Sequence, residues 1–154
     1  MNWQCIVKIK FAEEQNLKIM VSACLLGENC KYNGGNNYNE AVMNYIKGHE
    51  VVPVCPEVLG GLSIPRIPAE IVNGIVTARD GHSVDSEFRI GAKIALKKAI
   101  AENVELVILQ SRSPSCGVKQ IYDGSFTGNK IEGQGVFTKL LKENNFRVID
   151  VEDL

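Results

Sequence analysis

Excess charge is what this chain most plainly lacks. In 154 residues, 17 Lys and Arg stand against 18 Asp and Glu, for a formal net charge of −1. That balance offers no electrostatic footprint for a nucleic-acid polymer or an anionic membrane surface. No apolar run approaches the ~20 residues that a bilayer span requires. The opening residues hold no apolar signal core either, because Lys8, Lys10, Glu13 and Glu14 interrupt it. Histidine is scarce: His49 and His82 sit in turn contexts without partner spacing, and both read as surface residues rather than ligands. There is no C-x-x-C pair, so neither a thioredoxin-type redox pair nor a zinc-ribbon knuckle is written here. Internal repeats and low-complexity segments are missing too. The expectation is a cytoplasmic protein without nucleic-acid or membrane partners.

What is present is an ordinary globular composition, 45% hydrophobic and 23% charged, in a length that suits one domain. Such a chain buries roughly 70% of its unfolded surface without disulfide staples. Residues 1–16 read as an N-terminal extension, with Ile6 to Phe11 as an optional edge strand, and residues 17–154 as a single domain. Apolar runs at 18–23, 50–54 and 104–109 and a closing run at 146–151 predict strands. Asn39 predicts the cap of a helix reaching about Lys47, and Asp85 or Ser86 starts the clearest helix, running to about Asn103. A last helix is expected over 136–144. Residues 58–83 are long and irregular except for a hairpin pairing 70–72 with 75–78 across Asn73-Gly74, a strong short-turn signal. Residues 119–126 read as a short extended excursion turning at Asp123-Gly124. Right-handed crossovers then give an α/β fold: a small Rossmann-like parallel sheet flanked by helices, with a short β-hairpin insert.

Five cysteines in a reducing compartment make an unlikely disulfide framework, and their positions are more informative than their number. Three of them end predicted strands: Cys24 after the first, Cys55 after the second, and Cys116 in the Ser111-to-Gly117 loop after the third. In an open α/β sheet, ligands bind in the crevice beyond the carboxyl ends of the strands. One such thiol is by default a buried bystander, since free cysteine is among the most buried residue types. Three at strand mouths, beside Pro, Gly or Ser, point to a shared site, with zinc or an iron–sulfur cluster as its occupant. The close ligand pairing usual in structural zinc sites is absent. A cubane cluster on three thiolates would leave one iron open to a soft atom such as sulfur. Cys30 is a candidate fourth ligand but fits a structural or unpaired thiol better, and Cys5 lies outside the pattern.

The motifs around these thiols carry a resemblance. Ser22-Ala23-Cys24-Leu25-Leu26-Gly27, Cys30-Lys31-Tyr32-Asn33-Gly34, Pro53-Val54-Cys55-Pro56-Glu57, Gly60-Gly61-Leu62, Pro65-Arg66-Ile67-Pro68-Ala69-Glu70, Ser113-Pro114-Ser115-Cys116-Gly117 and Ile121-Tyr122-Asp123-Gly124 resemble the DUF523 family, which includes 2-thiouracil desulfidases. The resemblance spans roughly residues 17–150. It departs from the family pattern at Lys31, Asn33, Val84-Asp85 and Gln110, none of them an expected ligand. It implies a [4Fe-4S] cluster held by Cys24, Cys55 and Cys116, with the fourth iron open to a thiocarbonyl sulfur. On that footing the expected activity is a non-redox iron-sulfur-dependent desulfidase that releases hydrosulfide from 2-thiouracil or a similar small thioamide, the open iron acting as a Lewis acid. Glu57, two residues from Cys55, is the candidate base that deprotonates water. It has a plainer role as an ion-pair partner of Arg66 or Arg112. Ser113 is the candidate polarising hydroxyl, with Ser115, and the plainer role of both is capping loop amides. Two alternatives stand beside this reading. One is a zinc-dependent hydrolase using the same thiols with Cys30 or water as fourth ligand, and the other is a non-catalytic metal-binding or sensing module. A small thiolated molecule is the expected partner, and the oligomeric state is either monomer or homodimer.

Overall fold

A computed structural model describes residues 16–154. The N-terminal extension with its optional edge strand, and Cys5, lie outside the described residues. At the centre is a four-stranded sheet of β1 (Lys18–Ser22), β2 (Glu50–Val54), β5 (Leu106–Leu109) and β8 (Val148–Asp150). Its order is β2-β1-β5-β8, and every neighbouring pair is parallel. The two inner strands explain themselves: β5 is buried along its whole length and β1 from Ile19 to Ser22. Near-continuous apolar runs of this kind belong to strands covered on both faces.

Alternation of side chains splits the core into two layers. On one face Met20, Val54, Val107 and Leu109 meet Ala92, Ala95 and Ala99 of α3 (Asp85–Ala101) and Phe137 and Leu141 of α4 (Val136–Glu143). On the other, Ile19, Val21, Leu106 and Ile108 meet Val42 of α1 (Glu40–Tyr45), together with Leu17, Leu25, Ile46 and Val151. Asn39 caps α1, its side chain accepting the Val42 amide at 3.0 Å. The predicted hairpin forms as β3 (Ala69–Val72) and β4 (Ile75–Ala78), with positive φ at both Asn73 and Gly74. It docks on α3 through Val76, Ala78, Val84 and Phe88.

Several boundaries differ from the sequence expectation, each for a local reason. Strand β5 begins at Leu106 because the Val104 amide is taken by the Ala99 carbonyl at 3.0 Å, closing the end of α3. The excursion after Cys116 is one arm of a second hairpin, β6 (Gln120–Tyr122) with β7 (Lys130–Glu132). Directly after Cys55, Pro56 starts a one-turn helix, α2 (Pro56–Leu59), which runs into the stretch read as irregular. No helix among the described residues is long and apolar enough to cross a membrane.

The turn of α2 is pinned by glycine on both sides. A Cβ at Gly60 would stand 2.0 Å from the Glu87 carbonyl oxygen, and one at Gly91 would stand 1.9 Å from that of Pro56. Helix α3 and the turn that carries Cys55 therefore touch backbone to backbone.

Candidate functional site

The parallel arrangement sends the carboxyl ends of β1, β2 and β5 to one edge, and each end delivers a cysteine there. Cys24 lies in a 3₁₀ turn (Ala23–Leu26) after β1, Cys55 is the N-cap of α2, and Cys116 lies in the loop after β5. All three line one cavity of about 470 Å³. Cys30, the candidate fourth ligand whose loop position fitted a structural thiol better, lines it as well. It is itself buried, and the Cys55 thiol donates to its carbonyl at 4.0 Å.

These contacts set the thiols apart chemically. Hydrogen bonding from Cys30 lowers the Cys55 thiol to about 7, against the burial that would raise it. The same donor lowers Cys24, helped by the Asn37 side-chain amide at 3.5 Å from its sulfur. Cys30 is pushed up, because it is the proton donor to both neighbours. Burial pushes the Cys116 thiol up to about 12, and the Ser115 and Ser22 hydroxyls beside it offset only part of that.

A chain of polar contacts links Cys116 to Glu57. The Cys116 amide donates to Ser113 Oγ at 2.7 Å, Ser113 Oγ lies 3.2 Å from Ser115 Oγ, and Ser115 Oγ donates to Glu57 Oε2 at 3.0 Å. The other carboxylate oxygen accepts Arg66 Nε at 3.2 Å. Arg66 also donates to the Cys30 carbonyl at 2.9 Å and to the Ser63 carbonyl at 3.2 Å, so one guanidinium ties α2 and the Cys30 loop to its own segment. Only 8% of the Arg66 side chain and 17% of that of Glu57 are exposed. Glu57 thus has the ion-pair partner that was one of its expected roles, and the partner is Arg66. Arg112 pairs with Glu152 instead. Ser113 caps a loop amide, as its plainer role required, and stands in the cavity wall as well.

The Cys116 loop rests on the start of α4. The Phe137 amide donates to the Ser115 carbonyl at 2.9 Å, and a Cβ on Gly135 would stand 2.4 Å from that carbonyl. Beneath it, buried Ser111 donates to Asp150 at 2.6 Å and the Gln110 amide donates to Ser22 at 3.0 Å. The floor of the cavity is therefore hydrogen-bonded to β1 and to the end of β8.

His49 and His82 lie elsewhere. His49 accepts the Leu17 amide at 3.0 Å, and His82 pairs with Asp80 at the surface. Sequence reasoning missed Arg66 as the residue that joins the loops, and missed Phe126 and Arg79 in the cavity's outer wall. A positive φ at a non-glycine residue marks Phe126, and no local sequence signal gives that away.

Among the described residues, no three His, Cys, Asp or Glu side chains are gathered closely enough to hold one metal ion as they stand. A cluster spreads its thiolates over separate irons. Three soft donors from three separate strand ends, sharing one cavity, suit that kind of group.

Comparison with known proteins places these features. The family model described as 2-thiouracil desulfurase matches residues 19–153. An uncharacterized protein of Bacillus subtilis (strain 168), YbbK, is 42% identical, covering 88% of this chain and 97% of that protein. A solved structure described as the [4Fe-4S]-dependent thiouracil desulfidase TudS superposes with a TM-score of 0.84 at 36% identity, covering 90% of this chain and 93% of that one.

Proposed function

This chain belongs to the 2-thiouracil desulfurase family, and from that premise we propose that it is a [4Fe-4S]-dependent desulfidase of thiolated nucleobases such as 2-thiouracil or of similar small thioamides. The reaction replaces a C=S group by C=O with water as the oxygen source and hydrosulfide as the product. Nothing is oxidised or reduced overall. Cys24, Cys55 and Cys116 are the residues that would hold the cluster. When bound there, it supplies a Lewis-acidic iron for the thiocarbonyl sulfur.

The chain's own groups handle water and protons. Glu57, held in place by Arg66, accepts a proton from the attacking water. The hydroxyls of Ser115 and Ser113 continue from Glu57 Oε2 to the Cys116 amide and hold the carboxylate in register with the Cys116 loop, and the proton that Glu57 takes from water leaves with the departing sulfur. Ser113 also offers a hydroxyl to polarise the reacting ring. The cavity, at about 470 Å³, has room for a single-ring substrate.

The observation that carries this reading is that three cysteines from three strand ends share one cavity with Glu57 and the serine pair. Anaerobic purification tests it. The expected result is a brown protein with iron and acid-labile sulfide that releases hydrosulfide from 2-thiouracil, with release abolished in Cys116→Ser. A colourless protein carrying one zinc would replace this reading by the hydrolase. A cluster-loaded protein with no turnover would leave only a binding or sensing role.

A further inference from the structure

The outer wall of the cavity, opposite the sheet edge, is built by the two hairpins. Glu70, on β3, reaches across to the tip between β6 and β7, where its Oε1 accepts the amides of Gly124 at 3.0 Å and Phe126 at 3.2 Å. The tip sits tightly on the first hairpin: a Cβ at Gly124 would stand 2.6 Å from the Ile71 carbonyl oxygen. Held this way, Phe126 adopts a φ of +58°, a left-handed conformation that glycine enters freely and a bulky residue does not. The chain thus keeps a phenyl ring where its backbone favours no side chain, and strain of this kind clusters where function requires it. The ring lines the cavity that holds the thiols, and the Arg79 guanidinium carbon lies over it, 5.9 Å from its centre.

The geometry points to Phe126 as the platform on which the planar ring of the substrate stacks, with Glu70 and Arg79 as the residues that position it. This rests on the desulfidase reading and adds the feature that selects a flat heterocycle. Arg79 fixes the ring from one face by a cation–π contact. A π-face accepts any planar ring without directional hydrogen bonds, so the platform governs affinity rather than the chemical step.

The test uses anaerobically loaded enzyme, wild type and Phe126→Leu, with Phe126→Tyr as the conservative control. It reads kcat and KM for 2-thiouracil, the inhibition constant of uracil, and iron per chain. Phe126→Leu is expected to raise both KM and the uracil constant about tenfold, the size of one base–aromatic stack. In that variant kcat should stay within about twofold and iron should be unchanged, while Phe126→Tyr keeps wild-type values. An unchanged KM and uracil constant, or a fall in kcat and iron with KM constant, overturns the platform. Should Phe126→Leu not fold, Phe126→Gly suits the backbone there, and it must show the same rise. If wild-type enzyme releases no hydrosulfide, the functional reading falls on its own. Calorimetric binding of uracil to wild type and Phe126→Leu then still decides the platform: a weaker variant upholds it and equal binding removes it.

Discussion

At the scale of single residues, Arg66 holds the site's polar groups together, and its worth follows from burial. Glu57 and Arg66 are both largely removed from water, so deleting one partner strands a charge rather than merely losing a contact. Arg66→Met is therefore expected to cost about 3–5 kcal/mol in urea unfolding of the cluster-free protein. The double variant Arg66→Met/Glu57→Leu should recover most of that loss, and a double-mutant cycle measures the recovery. The four thiols divide in a similar way. Cys116→Ser is expected to lose most iron and acid-labile sulfide after anaerobic reconstitution. Cys30→Ser, which leaves all three proposed ligands in place, should retain iron near the wild-type ratio. Equal loss in both variants would make Cys30 a ligand. The sequence raised Cys30 as a fourth ligand and ranked that below a structural role, and its place beside Cys24 and Cys55 could not be settled there. It depends on the loop of residues 27–37 folding back over the mouth of β1, where the Asn37 amide donates to the Cys24 carbonyl at 2.9 Å.

At the scale of elements, the contact between α2 and α3 is the tightest constraint near the site. Gly91→Ala would place a methyl against the Pro56 carbonyl, and a backbone oxygen cannot step aside as a flexible side chain can. A loss of about 1–3 kcal/mol or more is expected. The displaced α2 turn should also lower cluster loading, which iron analysis reads directly. The first turn of α3 carries a separate dependence on pH. Burial would raise the Asp85 carboxyl, but hydrogen bonding from Arg89 at 2.7 Å, the Val76 amide at 2.9 Å and the Arg89 charge outweigh it and hold Asp85 below the usual carboxylate range. A depressed folded value stabilises the protein above the unfolded value, about 3.9, and this is lost as pH falls through the folded one. Wild type should therefore exceed Asp85→Asn by about 1 kcal/mol at pH 7, with the gap closing below about pH 4 in unfolding titrations. The elements themselves were largely readable, because β1 and β5 are apolar runs covered on both faces, α3 repeats apolar residues along one buried stripe, and Asn73-Gly74 supplies both positive φ values of its turn. Helix α2 was not. At four residues it is too short to show a period, and its backbone contact with α3 leaves no local trace.

At the scale of the whole molecule, the two apolar layers are complete without the site. Of the cysteines that line the cavity, only Cys116 belongs to one of these buried clusters, while Cys24 packs at the margin of the other. Removing iron with a chelator is therefore expected to lower the melting temperature while far-UV dichroism stays unchanged, since a group bound only by the folded state stabilises by mass action. Collapse of the dichroism would show instead that the cluster is needed for the fold. The position of the site was legible for a topological reason: parallel strands must send their ends to one edge. Its walls were not, because the bonds from Glu70 to Gly124 and Phe126 span 54 and 56 positions of chain. That division has a practical consequence for engineering. The proposed ligands hang from the sheet, whereas the facing wall hangs from two hairpins outside it, so the two can drift independently. A library randomised only at the β6–β7 tip should yield enzymes with a changed diet of sulfur compounds and an untouched inorganic heart.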